Sequence, residues 1–506
     1  MRGDEAPRWG IAGLLGAGMA IGVGELLAGM FSGVPSPLAA IGGAVVDGSP
    51  PWLEDFAIAT FGTADKTALA VGITVLSCVI GWFAGTAGRR RPQVVPIVFL
   101  VFGALGIAIA GTEPGTSLAS VTVATVLSVS AGLLTFRWLM PRPASGDPTD
   151  GLAADRSRRR FLGMAAAAGV WAVTAGVIGR RLVTRTPDLP PITIAPPTES
   201  APVPGPEHDF GLEGLTPIVV PNEDFYRIDT ALVVPRVDPS TWSLRVTGLV
   251  DNPLSFTYGD LMGMELVEDH VTIACVSNEV GGDLVGNARW TGVSLAGVLE
   301  RAGLQPGATQ LVGRSVDRFT VGFPPELVFD GRGALIALAM NGDPLPAAHG
   351  FPARLIVPGL YGYVSATKWL SEIELITWDG FDAYWVPRGW AKEAPIKTQS
   401  RIDVPRSGRT VAVGPVDVAG VAWAPLKGVA AVEVSVDGGG WIPCTLTEPL
   451  SSRAWVQWRA SVDLTAGEHT VSVRAMDGTS YTQTADRVPP RPDGATGHHT
   501  IRVTAA

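Results

Sequence analysis

Four stretches without a single charged residue follow one another in the first third of the chain, and they limit what it can fold into. They cover residues 67–88, 92–112, 114–136 and 161–179, which is 22, 21, 23 and 19 residues. A helix of about 20 apolar residues crosses the roughly 30 Å hydrocarbon core of a bilayer. One such stretch fits a buried helix of a soluble domain; four in series do not. Residues 9–31 form a fifth candidate, broken only by Glu25. With 506 residues, the chain also has room for further domains beyond this membrane region.

The charges between these stretches predict a topology, because basic short loops stay in the cytoplasm. Arg89, Arg90 and Arg91 follow the second stretch, and Arg137, Arg142, Arg156 and Arg158 to Arg160 precede the last. Asp47, Glu54, Asp55 and Asp65 separate the first two. The expectation is an N-terminus inside, five crossings of the cytoplasmic membrane and everything after residue 179 outside. Arg180, Arg181 and Arg185 run against this scheme. The run Ser157-Arg158-Arg159-Arg160-Phe161-Leu162 reads as an internal twin-arginine export signal or as an ordinary basic stop at a membrane boundary. Glu25 marks a quinone or proton site, or lies near the interface; charges at membrane depth are costly.

The remainder divides by composition. Residues 1–186 are the membrane region, and 187–208 form a Pro-rich spacer with eight prolines between Pro187 and Pro206. Residues 209–400 alternate strand and helix signals and predict an α+β domain. Trp242 to Gly248 alternates like a strand, Ser294 to Gly303 reads as a capped helix, and Val271 to Ala274 and Arg354 to Val357 read as buried strands. Residues 401–506 are all-β. Alternating valines run up to Asp437-Gly438 and again to Asp477-Gly478, the pattern of an immunoglobulin-like sandwich.

Charge and cysteine usage exclude some classes. Residues 1–200 carry a net +2 and residues 201–506 a net −11, with no basic stripe for nucleic acid. Cys78, Cys275 and Cys444 lie in separate regions and form no disulfide framework. His498-His499 has no neighbours to complete a metal set and reads as part of a solvated loop.

Two segments carry chemistry. Cys275 stands in Thr-Ile-Ala-Cys-Val-Ser-Asn-Glu-Val-Gly-Gly-Asp-Leu. A cysteine at a strand end is most often a small buried hydrophobe, but thiolates also suit soft redox metals. From His349 the chain reads His-Gly-Phe-Pro-Ala-Arg-Leu-Ile-Val-Pro-Gly-Leu-Tyr-Gly-Tyr-Val-Ser-Ala-Thr-Lys-Trp. Arg354 offers a planar fork and Lys368 a point charge to a bulky anion. Alone, Arg354 would serve equally in a domain-interface salt bridge.

Together these segments resemble the molybdenum-cofactor domain of the sulfite oxidase family. Gly-Val-Ala-Trp-Ala-Pro-Leu-Lys-Gly-Val from Gly420 and Pro-Asp-Gly-Ala-Thr-Gly-His-His from Pro492 resemble that family's C-terminal, dimerisation-type domain. The resemblance implies a molybdenum–molybdopterin cofactor, in the mononucleotide form of the pterin, with the metal on the Cys275 thiolate. It implies that Asn222, Phe225 and Tyr226 line the pterin and that Asp317, otherwise a surface acid, accepts its N–H groups. It further implies that His349, Arg354, Ser365, Ala366, Thr367 and Lys368 hold the pterin and its phosphate.

One departure bears on substrate. Sulfite-oxidising relatives place arginines soon after the cysteine, whereas here Asn278, Glu279 and Gly281-Gly282 occupy that stretch. A carboxylate near the metal repels sulfite, and Arg289 reaches back only if the loop folds over. The leading expectation is therefore a membrane-anchored oxidoreductase transferring an oxygen atom to or from an S-oxide, N-oxide or similar small molecule outside the cytoplasm. Its catalytic residues would be Cys275, Asn278 and Glu279. The bilayer, a quinone, cytochrome or membrane-subunit redox partner and a second copy of the chain are the expected associates. Sulfite oxidation is one alternative, with Arg289 or Lys392 supplying the charge. A cofactor-free, membrane-tethered binding protein is another.

Overall fold

The apolar runs form helices. In the computed structural model, residues 5–31, 33–61, 64–113, 116–140, 151–185 and 192–506 are described; Arg142, Pro114 and residues 187–191 of the spacer lie outside them. The helices are α1 (Glu5–Met30), α2 (Pro37–Asp47), α3 (Pro51–Phe61), α4 (Asp65–Gly88), α5 (Val94–Ala110), α6 (Leu118–Leu139) and α7 (Gly151–Thr184). Four segments are long and apolar enough to cross a membrane: Ala6–Met30, Asp65–Gly88, Leu118–Leu139 and Ser157–Thr184. The run at 92–112 differs from expectation. It yields only the 17 residues of α5, about 26 Å of helix. A turn at its start and Gly111, whose N–H bonds to Ile107 O at 2.8 Å, trim its ends.

One further difference appears here. The acidic segment between the first two runs is not a simple loop. Ser36 caps α2, its side chain accepting from Ala39 N, and α3 follows. The twin-arginine stretch lies within α7, which starts upstream of it at Gly151, while the membrane-length apolar segment begins at Ser157. The helices meet where small residues allow it: a β-carbon on Gly13 would collide with Gly81 of α4, the close approach typical of helix pairs in bilayers.

The described residues form two compact units, Met1–Pro187 with Ala231–Arg236, and Asp188–Thr230 with Val237–Ala506. The second unit begins with β1 (Ser243–Gly248), β2 (Leu254–Thr257), α8 (Tyr258–Met262), β3 (Leu266–Ala274), β4 (Val285–Ser294) and α9 (Leu295–Ala302). It continues with β5 (Gln310–Ser315), β6 (Thr320–Phe323), β7 (Leu335–Met340), β8 (Asp343–Pro344), β9 (Arg354–Ile356), α10 (Gly362–Ser365) and β10 (Leu370–Ile376). One sheet has the order β2-β1-β10-β5-β6; the other runs β3-β4-β7-β8, with β9 also paired to β7. Ser294 caps α9 by accepting from Gly297 N, and Gly303 ends it at φ +68°.

The rest is β-rich: β11 (Gln399–Val404), β12 (Thr410–Val411), β13 (Gly414–Trp423), β14 (Val429–Val436), β15 (Ile442–Pro443), β16 (Thr445–Leu446), β17 (Val456–Leu464), β18 (Gly467–Asp477) and β19 (His499–Ala505). They form sheets β11-β13-β17-β16 and β12-β19-β18-β14-β15. The alternating valines Val432, Val434, Val471 and Val473 of one sheet bury against Val418, Val456 and Trp458 of the other. Trp423, Leu450 and Trp455 join the larger core of the α+β part, so the two parts share apolar packing.

Candidate functional site

The β3–β4 hairpin delivers Cys275. Ala274 pairs with Val285 in register, and the Cys275 N–H donates to Leu284 O at 2.9 Å. Cys275 thus begins a ten-residue excursion, 275–284, at the end of a buried strand. The loop is held from within: Asn278 N donates to Cys275 O at 3.1 Å, and Leu284 N donates to Asn278 Oδ1 at 2.9 Å. Asn278 is buried while Glu279 is exposed. Cys275 is 8% exposed. Burial pushes its thiol up, countered by hydrogen bonds from Ser277 and by the Lys368 charge. A bound cation would reverse that burial penalty by favouring the thiolate.

The loop is also held from outside, by residues far along the chain. Arg401, 7% exposed, donates to Gly282 O at 2.8 Å and to Thr216 Oγ1 at 2.8 Å. Its Nε pairs with Asp403 at 2.7 Å. His499 lays its ring against Gly281, where a β-carbon would strike it, and its Nδ1 accepts from Ile402 N at 2.9 Å. The solvated-loop expectation for the two histidines is corrected. His499 starts β19 and buttresses the Cys275 loop, while His498 bonds Gln483 O at 3.0 Å and meets the Trp441 ring edge-on.

Asn222, Phe225 and Tyr226 form a second wall. The Phe225 N–H donates to Pro221 O at 3.0 Å, closing a turn. Phe225 stacks on Tyr226 at 5.2 Å and meets Trp290 and His349 edge-on. The Asn222 amide serves the framework: its Nδ2 donates to Met340 O at 3.2 Å, and its Oδ1 accepts from Asn341 at 2.8 Å. Its carbonyl accepts from His349 Nε2 at 2.9 Å. Against that hydrogen bond, which favours the protonated ring, His349 is held neutral, its pKa pulled down to about 4 by burial first and then by the Arg354 charge.

Arg354 and Lys368 come together with these groups. Arg354 opens β9, is 5% exposed, lies over the Trp290 ring at 4.9 Å and donates to His349 O at 3.0 Å. Its Nε is buried with no hydrogen-bond partner among the described residues, and burial pulls its pKa down to about 10. Lys368 follows α10 and donates to Asp229 at 2.8 Å. Burial draws it down to about 8 against the pull of Asp229. Asp317 is pushed up, mainly by burial and further by Asp229. Ser365 spends its hydroxyl on Leu360 O and Tyr361 O. The N–H of Ala366 bonds to Gly362 O at 2.9 Å. Thr367 is fully buried, with its Oγ1 unpartnered among the described residues.

Sequence reading missed Arg227, Asp229, Ser277, Arg401 and His499. Arg227 and Asp229 stand in the Asn222 segment, where their ion pair, 2.8 Å, was legible as an i, i+2 charge pair. For Arg401 no local signal existed.

The residues fit a bulky anionic cofactor. A buried guanidinium with an unfilled N–H, a buried lysine and a neutral histidine stand together with a thiol that, among the described residues, has no set of metal-binding side chains around it. Among the described residues no group of three or more His, Cys, Asp or Glu is placed to hold a metal ion. A metal bound at Cys275 would need its other ligands from a cofactor rather than from the described side chains. Arg289 is engaged with Glu268 at 3.5 Å, and Lys392 with Asp382 at 2.9 Å and two carbonyls.

Comparison with known proteins agrees with this reading. Residues 231–385 match the oxidoreductase molybdopterin binding domain, and 392–489 the Mo-co oxidoreductase dimerisation domain. Mitochondrial sulfite oxidase of Macaca fascicularis is 31% identical over 324 residues, which cover 54% of this chain and 58% of that protein. The human enzyme is 30% identical over 321 residues, with the same coverage. The chain thus spans less than two thirds of the length of these relatives. Among solved structures, the sulfane dehydrogenase SoxCD from Paracoccus pantotrophus superposes with a TM-score of 0.51 at 25% identity, over 58% of this chain and 82% of that one. The chain belongs to the sulfite oxidase-like molybdopterin-dependent oxidoreductases.

Proposed function

We propose that this chain is a membrane-anchored oxidoreductase that removes an oxygen atom from a small neutral S-oxide or N-oxide, with residues 209–506 on the outer side of the cytoplasmic membrane. The observation that carries it is the setting of Cys275: a buried thiol on a loop without cationic side chains. When bound, the molybdenum–pterin group supplies two-electron oxygen-atom transfer.

The chain's own residues have separate roles in this reading. Cys275 binds the metal. Arg354 and Lys368 neutralise the cofactor's phosphate, and His349, its one N–H bonded to the Asn222 carbonyl, offers Nδ1 as an acceptor in its neutral form. Asp317 accepts N–H groups of the pterin. Tyr226 and Phe225 exclude water from one wall. The loop residues Asn278 and Glu279 set which substrates approach the metal. The pterin in its mononucleotide form, the immunoglobulin-like character of the β-rich part, a homodimer through it, and the division at 186, 208 and 400 belong to the same proposal. Twin-arginine export of the cofactor-loaded domain fits it as well, because such a cofactor is inserted before export.

Sulfite oxidation is the second reading, favoured by the names of the relatives. Arg289 and Lys392, the cations first considered for it, are already paired. The test is metal analysis followed by turnover of an S-oxide, an N-oxide and sulfite with soluble dyes. About one molybdenum per chain, lost activity in Cys275→Ser with an unchanged circular dichroism spectrum, and preference for an oxide are expected. Full activity of Cys275→Ser removes the assignment, and efficient sulfite turnover selects the second reading.

A further inference from the structure

The helical unit contains a cavity of about 170 Å³. Its walls include Ala20 and Gly24 of α1, Pro37 of α2, Phe99 and Gly106 of α5, and Ser128 of α6. Ser128 directs its hydroxyl to Ala124 O at 2.8 Å; Ser77 and Thr125 are the other hydroxyl residues of a mainly apolar lining. An apolar cavity of roughly 150 Å³ suffices to hold a benzene ring. The space therefore has the size of a ring system rather than of a water cluster.

A buried charge stands beside this wall. Glu25 follows Gly24, is 1% exposed and lies in a helix long and apolar enough to cross a membrane. Its Oε1 accepts from Ser36 Oγ at 2.6 Å and from Leu38 N at 3.1 Å. Those donors flank Pro37 of the cavity wall. Its Oε2 is buried without a hydrogen-bond partner among the described residues, and Arg180 Nη1 stands 3.8 Å away, likewise unpartnered. Ionisable groups at membrane depth are expensive and mark ion, proton or ligand sites. Capping of α2 alone would need only the Ser36 hydroxyl, which already accepts from Ala39 N.

We infer that this cavity binds the ring of a lipid-soluble quinol, with Glu25, whose hydrogen-bond donors flank Pro37 of the wall, as the polar group nearby. The inference rests on the proposed oxide reduction, which needs a donor of two electrons and two protons. A quinol supplies both: oxide plus quinol gives the deoxygenated product, quinone and water. An acyl chain is the competing occupant.

The test uses the full chain in phosphatidylcholine nanodiscs, with menadione as probe and oleate as competitor. Gly106→Phe fills the space: a β-carbon at Gly106 meets nothing within 4 Å, so the ring enters without a backbone clash. Saturable menadione binding is expected in the natural chain. Gly106→Phe should weaken it by at least about tenfold, equal to roughly 1.4 kcal/mol, while oleate displaces little. Absence of saturable binding, equal binding by Gly106→Phe or displacement by equimolar oleate overturns the inference. Molybdenum content and dye-linked oxide turnover of the natural chain, measured on the same preparation, report separately on the proposed function.

Discussion

Lys368 Nζ stands 2.8 Å from Asp229 Oδ2, and the same carboxylate oxygen lies 2.8 Å from Arg227 Nε. Asp229 therefore balances two cations, and neither Lys368 nor Arg227 offers its full charge to a ligand. Among the described residues Arg354 has no such carboxylate partner. Its hydrogen bond goes to the His349 carbonyl, leaving it the buried cation with charge to give.

Removing that charge should affect the cofactor more than the chain. Arg354→Ala deletes a charge-assisted hydrogen bond of about 1.5–3 kcal/mol. Cofactor affinity should fall by roughly ten- to a hundredfold or somewhat more. Molybdenum and phosphorus content per chain measure it. Arg354→Lys should recover only part, because the ammonium lacks the planar fork. Unchanged occupancy in Arg354→Ala would mean that the residue is structural, serving the Trp290 face.

His349 predicts a pH dependence of stability. Its folded pKa lies near 4, below its ordinary value of 6.5. Between these values the unfolded chain takes up a proton and the folded chain does not, so stability falls as pH drops from about 6.5 to about 4. The full effect is about 3 kcal/mol. His349→Gln keeps a donor and removes the titration. Its denaturation midpoint should vary less over this window than that of the natural chain; parallel curves would refute the assignment.

The contact between Gly281 and His499 should behave as a coupled pair. Gly281 has φ +81°, and a β-carbon there runs into the His499 ring. Gly281→Ala should destabilise by more than the about 1 kcal/mol expected from strained backbone alone. Adding His499→Ala should restore the steric part and leave the conformational part. A double-mutant cycle by thermal denaturation reads the difference, and strictly additive effects would show that the ring yields freely. Amide exchange across residues 276–284 should rise in the same variants.

Export provides the fourth expectation. Arg158 and Arg159 precede the apolar part of α7. Replacing both by lysine should retain residues 209–506 on the cytoplasmic side if the twin-arginine route carries them, as read by a reporter fused after Ala506. A cytoplasmic reporter on the natural chain would overturn both the topology and the route.

Some of this was written locally in the chain. An uncharged run of twenty residues has few options other than a long helix, so α1, α4, α6 and α7 were legible, and α5 shortened only where a turn and Gly111 trimmed it. Alternating valines ending in Asp-Gly announced β14 and β18, because a period of two and a turn dipeptide are properties of neighbours; only Asp437-Gly438 turns left-handed. The flanks of Cys275, Arg354 and Lys368 announced the cofactor through their resemblance to the sulfite oxidase family. What tertiary structure decided were pairings between distant segments. It spent the Asn222 amide on Asn341 and brought Arg401 and His499 onto the loop of Cys275. A hydrogen bond or a ring contact needs only closeness in space, and residues separated by more than a hundred positions carry no local mark of the partner they will meet.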